Sequence, residues 1–369
     1  MKVFFIVPRY HTNMVGWINT LKYDLNCSIE VHSTVKGHTE NYSEVIPIIF
    51  NKSIFSRLLI RIFGDHKANS PKSFPQILAY FNYLKRQKPD YIVVRDISRY
   101  FSLLAAICSR ILGIKLIIYS QIIVNQKYSK KRLSSINFVN RIFKAIWLSP
   151  LEGHPDRAHK IPEKLRFVPF VVPPKNVAVL TNKEEAMLRI LTIGKFVRRK
   201  NLLILLDAIS RLIKKGYKLH LTIIGEVSKE AHNEYYDRVL SFIEENNLIP
   251  FINVLVNVEH SKIDTYYQAA DLFVLPATNE PASISVLESI ANGVPVICSN
   301  NCGTRFYIQE GYNGFIFDDN DLDSLIDTLE KYLVYKDRGE FSQNCLKTYH
   351  DNLSPDAFKD VLCKVIQKF

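Results

Sequence analysis

The sequence predicts an α/β protein built from two doubly wound parallel-sheet domains facing each other across a cleft. Three observations predict it. The chain has 369 residues, enough for two domains with separate cores. Short apolar runs alternate with helical patterns across residues 190–317. Those runs are apolar throughout rather than at every second position, as parallel strands covered on both faces are.

In the N-terminal half, Val3–Val7, Ile29–His32, Tyr91–Val94, Lys115–Tyr119 and Ala145–Leu148 read as strands with helical patterns between them. This half forms a domain over 1–172. The proline-rich and then polar stretch that follows marks a hinge at 173–188. Arg189–Ile193 and Gly194 begin the second domain, which runs to 350. Asn201 is placed to cap a helix with Leu202, Leu205, Leu206, Ile209, Leu212 and Ile213 at helical spacing, closed by Gly216. Leu219–Ile224 is a strand, a polar helix covers 230–247, and Phe251–Val256 is the next strand. Ser261 and Asp264 have the spacing of a capping box. Leu272–Leu275, a helix over Ser283–Asn292, then Val294–Ser299 form another unit. Phe315–Phe317 precedes a helix over 321–335, and 351–369 forms a last helix that could cross back to the first domain. Two such domains place ligand at the carboxyl ends of their strands, in the cleft.

Composition narrows the function classes. A hydrophobic share of 47% with 23% charged residues excludes disorder and fibres. Six cysteines in so long a chain are no disulfide framework, and Cys298 and Cys302 lack a second ligand pair for zinc. No signal peptide or membrane span is legible, so a cytoplasmic protein is expected. The net charge of +12 is uneven: residues 1–180 carry +17 and residues 181–369 carry −5. That asymmetry argues against a uniform nucleic-acid surface.

The richest segment is TNEPASISVLESIANGVPVICSN, residues 278–300. Glu280 follows a strand, and Glu288 lies inside a helix apolar nearly all round. A carboxylate buried there needs a compensating partner. The amides of Ser283 and Ile284, at the helix start, suit a phosphate. The acids can be read as paired core residues or as part of a sugar-nucleotide site. In IGKFVRRKN, residues 193–201, Lys195, Arg198, Arg199 and Lys200 crowd a helix N-terminus. The helix dipole disfavours cations there, and a bound anion would explain them.

Together these residues resemble glycosyltransferase family 4, the "group 1" enzymes of the GT-B fold with two Rossmann-like domains. The likeness covers roughly 190–335 and is carried by the Glu280-to-Glu288 spacing, NGVPVICSN and GYNGFIF at 311–317. The resemblance implies retaining transfer of a sugar from a UDP- or GDP-linked donor, with no metal or other cofactor. It implies that Lys195 and Lys200, beside Gly194, neutralise the diphosphate. Glu288 would hold the ribose, Glu280 would face the donor sugar, and Asn257 and Val258 would lie near the nucleobase. Ser283 and Ile284 fall where the family binds phosphate or sugar oxygens.

This chain departs from the pattern in places. Lys195 stands where Arg is usual, and Pro281-Ala282-Ser283 replaces Gly-Phe-Gly. The loop after the first strand has only Gly16, and Ser120 or Gln121 occupies the place of a frequent histidine. Gln can hydrogen-bond a hydroxyl but cannot protonate one near neutral pH. A GT-B nucleotide-sugar epimerase and a catalytically silent sugar-nucleotide-binding subunit are the alternatives.

Asp321-Leu322-Asp323 has a metal-binding form, yet Asp321 sits where a helix cap belongs. His11, His32, His38, His154 and His159 lack ligand spacing, and most are expected at the surface. Two stretches account for the basic half. In 51–67, Ile54, Phe55, Leu58, Leu59 and Ile62 share a face with Arg57 and Arg61 opposite. In 127–147, four cations precede an aromatic amphipathic run. Either these faces are core, or they meet an anionic membrane. The second reading makes the chain peripheral on the inner leaflet, with a saccharide or lipid-linked acceptor and no nucleic-acid partner.

Overall fold

The computed structural model describes residues 1–7, 10, 14–36, 42, 44–63, 70–153, 161–175, 187–227, 230–335 and 337–366. Residues 176–186 of the expected hinge, and His11, His38, His154 and His159, lie outside the described residues. The chain divides into two compact units, Met1–Pro173 with Pro355–Phe369, and Pro174–Ser354.

The first unit runs β1 (Lys2–Ile6), α1 (Val15–Asn19), β2 (Ser28–Ser33), β3 (Ile48–Ile49), α2 (Ile54–Ile62), α3 (Ile77–Gln87), β4 (Tyr91–Arg95) and α4 (Tyr100–Leu112). It continues with β5 (Lys115–Tyr119), β6 (Ile123–Asn125), α5 (Lys130–Phe143), β7 (Ile146–Ser149), β8 (Leu151–Gly153) and β9 (Leu165–Phe167). Seven strands form a parallel sheet in the order β3-β2-β1-β4-β5-β7-β9, and β6 pairs with β8 apart from it. Successive residues of β1 enter opposite cores. Phe4 and Ile6 pack beneath α3, α4 and α5, while Val3 and Phe5 pack against α1 and the chain's last helix. Both faces are covered, which is why the strands are apolar throughout. The strands β3 and β9, too short to show a period, were not legible in the sequence.

The second unit runs β10 (Leu188–Lys195), α6 (Leu202–Lys214), β11 (Leu219–Glu226), α7 (Glu230–Glu245), β12 (Ile252–Val256), α8 (Ile263–Ala269), β13 (Leu272–Leu275) and α9 (Ile284–Ala291). It ends with β14 (Val296–Ser299), β15 (Gly314–Phe317), α10 (Leu322–Leu333) and α11 (Arg338–Asn352). Its sheet is parallel, in the order β12-β11-β10-β13-β14-β15. Then α12 (Pro355–Ile366) returns to the first unit, burying Phe358 and Leu362 against Trp17 and its neighbours.

Several local expectations are corrected. Asn201 precedes α6 but does not cap it through its side chain. It is left-handed, with φ +50°, and its amide donates to Asn320 at 3.1 Å. Ser261 lies within a 3₁₀ turn, His260–Lys262, so Lys262 precedes α8 and no side chain caps it. Asp264 is drawn instead to Lys175, at 2.8 and 2.9 Å. His32 is fully buried rather than at the surface. Asp321 does cap α10, accepting from the Ser324 amide at 2.9 Å.

Candidate active site

The end of the second sheet creates the site. β10 pairs with β11 along its whole length, from Leu188–Leu219 to Lys195–Glu226. With β13, on its other side, it pairs only at Ile190–Leu272 and Leu191–Phe273. Beyond Leu191 the two strands part, and the strand order reverses between them. The carboxyl ends of strands at such a reversal are where open α/β sheets bind ligands.

Gly194, the next-to-last residue of β10, lies under the side chain of Lys200. A Cβ at Gly194 would lie 3.0 Å from Lys200 Cε and 3.2 Å from its Cδ, so the glycine leaves room for the lysine to cross it. Lys200 is buried. Its Nζ donates to Glu280 Oε2 at 2.6 Å, and Arg199 Nη1 donates to the same oxygen. Glu280 is itself 6% exposed. A carboxylate this deep is tolerable only with such partners. Two cations on one carboxylate leave a positive charge over at the strand ends.

The other cations of this turn are also paired. Lys195 Nζ lies 2.9 Å from Glu226 Oε2, and Arg198 lies 2.7 Å from Glu234. The crowding of cations at the helix start therefore has local compensation in carboxylates, and the bound anion expected from the sequence is not required to explain it. Arg199, which shares Glu280 with Lys200, was not singled out for the site. No short-range signal separates it from Arg198, since only the fold decides which cation turns inward.

The loop after β13 carries Glu280 to α9. Ser283 is the residue before the helix, buried, with no side-chain cap to the helix amides. Its hydroxyl pairs with that of Ser285 at 2.8 Å instead. The Ile284 amide and those after it thus keep their unsatisfied N–H character at the positive end of the helix dipole. One turn on, Glu288 Oε2 accepts from the Tyr267 hydroxyl at 3.2 Å, and His260 Nε2 lies 3.6 Å from Oε1. The Glu288 carboxylate beside it holds the His260 pKa above its usual value. Burial, reinforced by the Glu288 charge, pushes that of Tyr267 well above the tyrosine range. Tyr267 and His260 were invisible to sequence reasoning because they come from α8 and the turn before it.

The remaining candidates fall elsewhere. Asn257, left-handed at φ +55°, spends its side chain on Val227, accepting from the amide at 3.0 Å and donating to the carbonyl at 3.1 Å. It clamps the β11 loop, so a base could be read here only through backbone groups, with half-buried Val258 beside it. Gly16 lies in α1 rather than in a loop. A Cβ there would come within 2.6 Å of the Val171 carbonyl oxygen, so close packing within the first unit demands glycine. Ser120 accepts from Trp147 Nε1 at 2.5 Å, and half-buried Gln121 follows it at the end of β5. Among the described residues no cluster of three or more His, Cys, Asp or Glu could hold a metal ion.

Residues 176–347 match the family model described as Glycosyl transferases group 1. An Escherichia coli UDP-Gal:alpha-D-GlcNAc-diphosphoundecaprenol alpha-1,3-galactosyltransferase is 22% identical over 300 residues, covering 74% of each chain. A Rhizobium meliloti lipopolysaccharide core biosynthesis glycosyltransferase, LpsE, is 25% identical over 183 residues, and there the match spans 49% of the relative. In fold, the chain is similar along its whole length to a glycosyltransferase from Rickettsia africae, with TM-score 0.74, 16% identity and 98% of that chain covered. It is also similar to Anabaena HepE in complex with UDP-glucose, with TM-score 0.72, 13% identity and 100% of both chains covered. The architecture is GT-B, and the chain is a glycosyltransferase.

Proposed function

We propose that this glycosyltransferase moves a sugar from a UDP- or GDP-linked donor, with retention of anomeric configuration, onto a saccharide or lipid-linked acceptor. Cell-surface polysaccharide or glycolipid synthesis is the setting, with the enzyme peripheral on the inner membrane face. The carrying observation is the buried Glu280 held by Lys200 and Arg199 beside the uncapped start of α9. A donor diphosphate seated there meets one excess positive charge and a row of free amides, which together match a dianionic group. Glu280 Oε1 makes no hydrogen bond among the described residues, and is the oxygen available to a donor-sugar hydroxyl. In the same reading Glu288, whose Oε2 accepts from the Tyr267 hydroxyl, takes two ribose hydroxyls.

In this reading the bond from the anomeric carbon to the diphosphate oxygen breaks, and the acceptor oxygen bonds to that carbon on the same face. The acceptor's proton passes to the departing diphosphate. No protein nucleophile is needed. The protein's contribution is to stabilise the charge that grows on the leaving group, usually the largest single catalytic effect. Lys200 supplies it directly, and Lys195 does so by exchanging Glu226 for a phosphate oxygen. The similarity to relatives whose names include a UDP-sugar and a lipid-linked acceptor supports the choice of substrates.

The test is Lys200→Ala, assayed for nucleoside diphosphate release with a panel of nucleotide sugars and acceptors. Turnover should fall about a hundredfold or more, with the product anomer, read by proton NMR, matching the donor. Near-normal transfer in the variant, or a free epimer released without acceptor, would overturn the proposal.

A further inference from the structure

One face of the first sheet is covered by a helix layer that contains no carboxylate. Leu59 of α2, Tyr80 of α3, Phe101 of α4 and Ile136 of α5 all belong to, or pack against, one core beneath that face. The four helices together carry nine Lys and Arg and no Asp or Glu. Between Asp96 and Glu152 the chain has no acidic residue at all. On the opposite face α12 carries Asp356 and Asp360, so the lack of acid is a property of this layer.

The same layer turns apolar side chains outward. In α2 the usual arrangement is inverted. Ser56 is fully buried, bonded to the Lys72 carbonyl and the Phe74 amide. Ile54 is 78% exposed, Phe55 60%, Leu58 49% and Ile62 64%. At about 100° per residue these four fill a single arc of the helix, and Arg57 and Arg61 flank it on the outward half. The expectation that the arginines lie opposite the apolar face is corrected accordingly, because the inward face is taken by Ser56 and half-buried Leu59. In α4, Leu103, Ile107 and Ile111 are exposed at four-residue intervals, and in α5 so are Phe138 and Ile142. Arg110 of α4 donates to the Ile142 carbonyl at 3.1 Å, which joins the two stripes.

We infer that the outer face of α2, α4 and α5 docks on an anionic phospholipid surface. An apolar stripe flanked by cations is the arrangement that enters the boundary between headgroups and acyl chains. Each cation is drawn to the negative surface potential, and among the described residues only Arg141 of the nine is paired with a carboxylate, Glu163 at 2.8 Å. A second copy of this chain would set two acid-free cationic layers against each other and be repelled. Nucleic acid would use the cations and leave the apolar side chains in water. The inference extends the proposed lipid-linked acceptor reading to a named surface. It is tested without donor or acceptor, so either can fail alone.

The full chain is sedimented with vesicles of phosphatidylcholine alone, and with vesicles in which about one lipid in three is phosphatidylglycerol. Binding should be about tenfold stronger or more to the anionic vesicles and should weaken as salt rises. Phe55→Ser with Leu58→Ser, and separately Arg57→Glu with Arg61→Glu, should each weaken that binding about tenfold. All four side chains point outward, so the thermal midpoint should stay at the wild-type value and report an intact fold. Unchanged binding in either double variant, equal binding to neutral vesicles, or no binding at low salt would overturn the inference. So would a stable dimer dissolved by the Phe55/Leu58 change, or duplex DNA bound in preference to the anionic vesicles.

Discussion

At the residue scale, buried polar side chains carry most of what is specific to this chain. His32 is enclosed on all sides. Its Nδ1 meets the Tyr80 hydroxyl at 2.9 Å, its Nε2 lies 3.1 Å from Glu30 Oε2, and Tyr83 donates to that same oxygen at 2.6 Å. A neutral ring that donates from Nε2 and accepts at Nδ1 satisfies all three groups. Burial, opposed by Glu30, lowers its pKa to about 4 from an ordinary 6.5. Because the folded value is the lower, the unfolded chain takes up the proton first. The contribution to stability is complete above pH 6.5 and is lost as pH falls towards 4. Urea unfolding should show wild type losing about 2 kcal/mol from this group between about pH 7 and 5. His32→Gln should show a correspondingly flatter profile. Identical slopes for the two proteins would remove His32 from the account. The sequence offered His32 only as one scattered histidine, since burial depends on Tyr80 and Tyr83, which are far away along the chain.

At the element scale, helix periods and apolar strands were legible, and the chemistry of element ends was not. Leu272–Leu275 and Lys115–Tyr119 were read with their observed bounds, because continuous apolar runs admit little else. Asn201 and Ser261 were misread as caps because capping depends on where a side chain points. Asn320 and the 3₁₀ turn at His260–Lys262 decided that. The GYNGFIF turn shows the same dependence. Gly314 begins β15 against β14, and a Cβ there would lie 1.9 Å from the Val296 carbonyl oxygen. That contact is backbone and cannot swing away. Gly314→Ala should therefore cost about 3 kcal/mol, at the upper end of overpacking penalties, read as a lowered denaturant midpoint. A loss below about 0.5 kcal/mol, typical of surface changes, would show that the edge strand yields freely.

At the scale of the whole molecule, each unit has its own core, yet the chain does not complete the first before starting the second. Phe358, Leu362 and Val365 of α12 lie buried among Trp17, Ile18 and Leu21. Ending the chain at Ser354 removes those three side chains, about 5 kcal/mol of apolar burial, from a unit whose total stability should be of order 10 kcal/mol. Hydrogen exchange on the shortened chain should show β1 and β4 losing protection while β10 and β13 keep theirs. Retained protection in β1 would mean that α12 contributes little. The charge division also acts at this scale. Of the positive charge over residues 1–180, net +17, nine cations lie in the acid-free helix layer, whereas the cations of the 195–200 turn all contact carboxylates and keep one positive charge in excess.

The sequence by itself determined the fold class, the parallel sheet of the second unit, and the two segments, 193–201 and 278–292, that meet at its strand ends. Those rest on periodicity and residue chemistry, which are local. Only the tertiary structure decided that Arg199 and Lys200 close on Glu280, that Tyr267 and His260 attend Glu288, and that α2 turns its apolar side outward. Each is a choice among competing partners. The order of strands in the sheet makes that choice, since it brings residues roughly 80 positions apart, such as Lys200 and Glu280, within one hydrogen bond.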